Sequence, residues 1–340
     1  MKEKEYRAYL ETREQSEASI EAAVAYVKEF GDYLKSRGGG PDSAGVEDVK
    51  AYAQKLIEEN GNTMERFLAL ARYSYATGSN EVFIYFTRIL GGREVLESIS
   101  DRLAEIAGKE TRDSVFEDIE TPPLGSPPEA YPPVTGNLLG GLQQLGRGTC
   151  HKVLAGNHHG IPVESFTRHK GWLKEAGGLD AFLKRVHAEA VAELERHVAE
   201  GKVWYEQVIT PEIVEFVRGN QEVLSAVRHG EYLYKTKFPY APDEWLKESD
   251  PLKRRYFACH CPLAREAIIR GEPVIPLDWC YCSGGYGKLM FDVVFAEPTE
   301  VEVLESVLAG HDRCRFRIKI PPAFQSPDGR RVRRPGRPSG

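Results

Sequence analysis

Four of the six cysteines stand in two close pairs, Cys259-His260-Cys261 and Cys280-Tyr281-Cys282, with eighteen residues between the pairs; Cys150 and Cys314 stand apart. Two kinds of chemistry suit such a cluster. Zinc favours four soft ligands in a tetrahedron, which Cys259, Cys261, Cys280 and Cys282 would supply, with His260 able to replace one of them. The common zinc turn is C-x-x-C, however, whereas C-x-C on a strand sets two side chains on one face about 6–7 Å apart at Cα. The other chemistry is that of a reactive thiol. Cys261 precedes Pro262, and the run Leu263 to Ile268 predicts a helix with Cys261 at its N-cap and proline in its first turn. A thiol so placed meets the positive end of the helix dipole and unpaired N–H groups, which enrich the thiolate.

Cys282 precedes Ser283-Gly284-Gly285, which reads as a turn into a second helix from Tyr286 to Phe295. In that turn Gly284 and Gly285 would let backbone N–H groups approach a substrate oxyanion or carboxylate. His260 and Asp312 are the candidates to move protons, and Arg265 and Lys288 the candidates to hold a substrate carboxylate. A third reading leaves the thiols as small buried hydrophobes. Cys150-His151 and His158-His159 fall in a glycine-rich stretch, 136–160, that reads as a loop near the site. His187 and His197, ten residues apart on one helix, face different directions and cannot share an ion. There is no phosphate-binding loop, dinucleotide fingerprint or H-E-x-x-H run, so nucleotide-driven chemistry is disfavoured.

The elements that must position these residues follow from periodicity. Residues 12–108 read as helical. Ile20, Ala23, Val27, Phe30 and Leu34 form one stripe, and Val46, Val49, Tyr52 and Leu56 a second. Thr63 caps a third helix, closed by Gly78, and Gly91-Gly92 divides a fourth, Glu81–Leu90, from a fifth, Arg93–Ala107. Six prolines between Thr121 and Gly136 suit an extended polyproline spacer. Beyond it, Asp180 caps a helix to Glu200, and Thr210-Pro211 opens another. Near the end, 300–307 and 313–320 alternate about the turn 309–312. Cys314, Phe316, Ile318 and Ile320 share one face there, opposite Arg313, Arg315, Arg317 and Lys319, which predicts an antiparallel β-hairpin. The fold class is α+β: an N-terminal all-helical bundle (1–108), a Pro-rich linker (109–136), an α+β cysteine-rich domain (137–322) closing in that hairpin, and a basic tail (323–340).

Three segments carry a family resemblance. The run Cys259-His260-Cys261-Pro262-Leu263-Ala264-Arg265-Glu266-Ala267-Ile268, then Trp279-Cys280-Tyr281-Cys282-Ser283-Gly284-Gly285-Tyr286, then Val301 to Phe316 with Gly310 and Cys314, resembles bacterial L-2-amino-thiazoline-4-carboxylic acid hydrolase-like proteins. It is also similar to a cysteine-rich branch beside them, and the closing hairpin looks like that of 4-vinyl reductase-type small-molecule-binding domains. The resemblance covers residues 250–320 well and 136–249 loosely. Ser283 stands where hydrolase-like members carry an acid, so thiazoline hydrolysis is implied only as a class. Residues 19–70 resemble the helical N-terminal domain of tyrosine recombinases, but no Arg-His-x-x-Arg run follows, which leaves a packing or partner-binding module.

Composition bounds the rest. The 340 residues are 41% hydrophobic and 28% charged with a net charge of −6, an ordinary globular balance. The last twenty residues hold five arginines against one acid, a composition that predicts disorder. The acidic body argues against nucleic acid as the main partner. The start, Met1-Lys2-Glu3, has no apolar secretory core, and no apolar run reaches the roughly 20 residues of a membrane span. The expectation is therefore a cytoplasmic small-molecule enzyme, a hydrolase of a C–N or C–S bond acting through Cys261 and Cys282, with zinc or no cofactor and with self-association left open. The competing expectation is a metal- or ligand-binding sensor whose cysteine cluster holds zinc.

Overall fold

A computed structural model describes residues 1–325; the basic tail expected to be disordered lies, from 326 on, outside the described residues. The fold is mostly helical with one small antiparallel sheet, an α+β architecture. The chain divides into two compact units: Met1–Leu96 with Glu120–Val134, and Glu97–Ile119 with the chain from Thr135 onward. Among the described residues no helix is long and apolar enough to cross a membrane.

The first unit is built on α1 (Glu3–Glu11), α2 (Glu17–Lys35), α3 (Val46–Glu58) and α4 (Met64–Ala76), followed by α5 (Asn80–Ala107). The expected stripes are its core: Ile20, Val27, Phe30 and Leu34 of α2 meet Val49, Tyr52 and Leu56 of α3 and Phe67 and Leu70 of α4. Thr63 caps α4 through the Arg66 N–H. Gly91-Gly92 does not end a helix. Helix α5 runs through it, because Ile89 and Leu90 before the pair and Val95 and Leu96 after it all bury, and that packing outweighs about 1 kcal/mol of lost propensity per glycine.

The proline-rich stretch is not an extended spacer. Residues 109–116 form α6 (Lys109–Phe116) in the second unit, while 120–134 belong to the first. There Asn62 donates to the Leu124 carbonyl at 2.9 Å. Gly125, at φ +88°, lies so close to the Phe67 ring that a Cβ would sit 2.5 Å from it. Pro132 and Pro133 occupy the first turn of α7 (Tyr131–Gln144), where a missing N–H costs nothing.

The second unit continues through α8 (Arg147–Leu154), α9 (Thr167–Glu175), α10 (Leu179–Glu200) and α11 (Pro211–Arg218). Helix α10 is capped by Gly178, two residues earlier than the expected cap Asp180. Strands β1 (Val227–His229) and β2 (Tyr232–Thr236) form a hairpin. Then come α12 (Pro242–Lys247), α13 (Pro251–Ala258), α14 (Glu266–Arg270) and α15 (Tyr281–Phe295), and the chain closes with β3 (Val301–Glu305) and β4 (Arg315–Lys319). The strand order is β1-β2-β4-β3, antiparallel throughout, so the closing hairpin is present and β4 is central.

The two faces of the sheet divide as the alternation requires. Phe316 and Ile318 of β4 pair in register with Lys235 and Leu233 of β2 on the face that α15 covers. Phe291, Val294 and Phe295 of α15 join Leu233 and Ile318 in one core with Leu179, Phe182 and Leu183 of α10. On the other face Arg315 grips Glu222 through two nitrogens at 2.8 and 2.6 Å, and Arg317 pairs with Glu302.

Candidate functional site

The site forms where the N-terminal end of α15 meets the inner face of β2. Two glycines make that approach possible. A Cβ on Gly285 would lie 2.4 Å from the Gly156 carbonyl oxygen and 2.6 Å from the Ala155 carbonyl carbon; one on Gly284 would press on Val301 at 3.3 Å. The chain 155–159 is thereby held against α15. Gly284 and Gly285 are therefore buried helix-interior residues at a close crossing, not the open turn expected of them.

Cys259, Cys261, Cys280, Cys282 and Cys314 gather in this region, but not in the grouping that spacing suggested. Cys259 ends α13 in extended conformation, and its thiol neighbours Cys261, Cys314 and Cys280; burial first, then Cys261 and Cys314, push it up, and it in turn raises Cys280. Cys280 pairs with Cys314 and bonds Ser306 Oγ at 2.9 Å. One thiol of this coupled pair donates to the other sulfur. That bond, aided by the Val307 N–H and opposed by burial, brings Cys314 below the ordinary thiol value and, together with burial, holds Cys280 well above it. Cys282 is the second residue of α15, with Sγ 3.9 Å from His159 Nε2 and Cys261 as its thiol neighbour; burial raises it to about 12. Among the described residues no three His, Cys, Asp or Glu side chains are grouped closely enough to hold one ion.

Cys261 differs from the others. Of the six cysteines it alone is not buried. Its sulfur accepts the Trp279 indole N–H at 3.2 Å, and the backbone N–H groups of Leu263 and Ala264 also favour its thiolate. Burial still leaves its pKa raised, with these donors and Lys237 opposing. The expected helix does not begin at Pro262. The chain makes one turn, with the Cys261 carbonyl accepting from Arg265 N–H at 2.9 Å, and α14 starts at Glu266. The cap-like donors to the sulfur survive because that turn has helical geometry.

The remaining candidates go elsewhere. His260 donates through Nε2 to the Phe238 carbonyl at 2.7 Å, and burial together with Lys237 holds its pKa far below the usual imidazole value. It is tied into the backbone. Arg265 is buried with its guanidinium between the rings of Tyr240 and Tyr256, at 4.4 and 4.1 Å. Lys288 is spent on Asp292 within α15. Asp312 is exposed in the β3–β4 connection. His151 stacks on Tyr281 at 3.6 Å and pairs with Asp278, and His158 is buried against Ser98 and the Val153 carbonyl. Cys150 is buried on α8, which raises its thiol to about 11.

What spacing missed is the basic side of the site. Lys237 donates to Ser283 Oγ at 2.9 Å and lies 5.9 Å from the Tyr286 ring. Its charge reaches Cys259, Cys261, Cys282, Cys314, His159 and His260. Lys235, two residues earlier on the same face, lies 5.8 Å from Phe291; burial, then Lys237, lowers its pKa to about 8. His159 stays exposed at one edge, yet the packing around its ring and the charge of Lys237 bring it down to about 4, so it is neutral at ordinary pH. The signal was present as Leu233-x-Lys235-x-Lys237, a period-2 row that sets two lysines on the core face. A cavity of about 860 Å³ between α6 and α7, edged by Glu110, Asp118 and Asn137, holds none of these residues.

Residues 232–324 match a family of unknown function (DUF6144). That span runs from the start of β2 to five residues beyond β4 and contains both lysines and the five gathered cysteines, but not His159. No curated protein and no solved structure matches the chain.

Proposed function

We propose that the second unit is a thiol-dependent small-molecule enzyme, a hydrolase of a C–N or C–S bond, with Cys261 as its nucleophile. The observation that carries this reading is the setting of the Cys261 sulfur: less buried than the other five, accepting the Trp279 indole N–H, with the Leu263 and Ala264 N–H groups beside it, and within the field of Lys237. Donors of this kind stabilise a thiolate as it forms. In the reaction the Cys261 S–H bond breaks and its sulfur bonds the electrophilic carbon. The proton ends on the departing nitrogen or sulfur, and water then cleaves the S–C bond and restores the thiol. His159, neutral and exposed beside Cys282, whose thiol neighbours Cys261, is the base assigned to relay that proton. Cys282 itself is a poor resting nucleophile, because with its thiol near 12 and His159 near 4 the neutral pair dominates.

Alkylation of the native protein with iodoacetamide, located by peptide mass, tests the reading. Cys261 is expected to react first, with Cys259, Cys280, Cys282 and Cys314 protected, and Cys261→Ser is expected to remove the fast phase. Equal or faster labelling of another cysteine would overturn the assignment. One zinc per chain on untagged protein, with Cys259, Cys261, Cys280 and Cys282 all protected, would replace the thiol enzyme with the metal-binding reading.

A further inference from the structure

We infer that the ligand of this site carries a terminal oxyanion, a carboxylate or phosphate, held by Lys235 and Lys237 beside Cys261. The inference rests on the thiol-enzyme reading only for its placement next to Cys261; the lysine pair is a separate observation. Lys235 and Lys237 are two residues apart on one strand, so both ammonium groups project from the core-facing side of the sheet toward α15. Core positions of a sheet ordinarily carry apolar residues, as Leu233, Phe316 and Ile318 do here. A buried or half-buried cation is tolerated when an anion compensates it.

No such anion is supplied by the described residues. The only side-chain hydrogen bond of Lys237 goes to a neutral hydroxyl, Ser283 Oγ, and the only charged group acting on Lys235 is Lys237 itself. Further basic groups stand on the Lys235 side. His169 of α9, within the field of Lys235, is 7% exposed, with its ring beside the Phe166 backbone and its Nδ1 making no close hydrogen bond. Arg168 stands beside it, over the Trp172 ring. Two ammonium groups on one face, neither of them paired with a carboxylate, form a receptor for negative charge; Glu206, the acid whose field reaches this side, acts on the Tyr286 ring. Lys288 and Arg265, the cations that spacing nominated for this task, are already engaged by Asp292 and by two tyrosine rings.

Two alkylating reagents that differ only in charge test the inference on the full chain. Cys261 of the native protein is expected to prefer iodoacetate over iodoacetamide by about tenfold relative to the same cysteine in urea, the size of effect one favourable charge pair produces. Lys235→Met and Lys237→Met should each abolish the preference while iodoacetamide still reacts, and Lys235→Arg should restore it. Malonate and inorganic phosphate, competing on the unmodified protein, tell a carboxylate site from a phosphate site by which one slows iodoacetate at the lower concentration. Labelling of Cys261 by iodoacetamide with no iodoacetate preference and no competition would overturn the oxyanion and leave the thiol reading standing. If neither reagent reaches Cys261, the thiol reading falls. The oxyanion is then judged by the thermal transition, which malonate or phosphate must raise in the native chain and not in Lys235→Met.

Discussion

Gly285→Ala and Gly287→Ala, two residues apart on α15, should change stability in opposite directions. Both positions gain helix propensity on going to alanine, about 1 kcal/mol in an open helix interior. At Gly287 nothing opposes that gain, since the nearest atom to the new methyl is Phe316 Cδ2 at an ordinary 3.7 Å. At Gly285 the methyl would stand 2.4 Å from the Gly156 oxygen, 2.6 Å from the Ala155 carbonyl carbon and 2.9 Å from its oxygen. Relief requires α15 and the 155–156 backbone to separate by about 1 Å, and neither partner is a side chain that can rotate away. Overpacking of this kind costs about 1–3 kcal/mol, and a backbone-on-backbone contact belongs at the upper end. The expected outcome is a net loss of about 1–2 kcal/mol for Gly285→Ala and a gain of about 0.5–1 kcal/mol for Gly287→Ala. All four tryptophans, Trp172, Trp204, Trp245 and Trp279, lie in the second unit, so fluorescence-monitored urea unfolding reports that unit without the first. Gly285→Ala should also slow or scatter Cys261 labelling, because the displaced segment carries His159. A Gly285→Ala protein as stable as the parent, or two variants of the same sign, would refute the close crossing on which the site depends.

Other perturbations have equally definite outcomes. Trp279→Phe removes one of three donors from the Cys261 sulfur, so the pH midpoint of Cys261 alkylation should move upward; an unmoved midpoint would show that the indole does not hold the thiolate. Ser306→Ala deletes a fully buried hydroxyl that accepts the Leu308 N–H at 3.1 Å and bonds Cys280, and should cost about 1–2 kcal/mol in the same urea assay. Stability should also depend on histidine titration. His158, His169 and His260 have pKa values lowered by burial, so the unfolded chain binds protons near pH 6.5 that the folded chain refuses. Their contribution is complete above about pH 6.5 and is lost as pH falls below it. Urea midpoints that stay flat from pH 8 to pH 5 would contradict that sign.

The hydrophobic stripes of α2 and α3, the Thr63 cap and the closing hairpin were legible because each rests on local rules: a period of 3.6, a side chain reaching its own backbone, a period of 2. The sequence also singled out the two C-x-C pairs, whose four cysteines the fold gathers with Cys314 in one region. It misjudged glycine and proline wherever long-range packing overruled local propensity, as at Gly91-Gly92, at Pro132-Pro133 and at Gly284-Gly285. Pairing of the thiols was likewise beyond its reach. Cys280 and Cys282 lie at the start of a helix, where two residues differ by about 200° in direction, and Cys259 ends another helix before the chain extends. Each C-x-C pair is therefore split between two neighbourhoods, one around Cys314 and Ser306 and one around His159 and Trp279. Of those partners, Ser306 lies 26 positions from Cys280 and His159 lies 123 positions from Cys282. Local sequence decides which face a residue occupies on its own element; only the docking of α15 between the sheet and the 155–159 segment decides which faces meet, because that contact is fixed by shape over the whole unit.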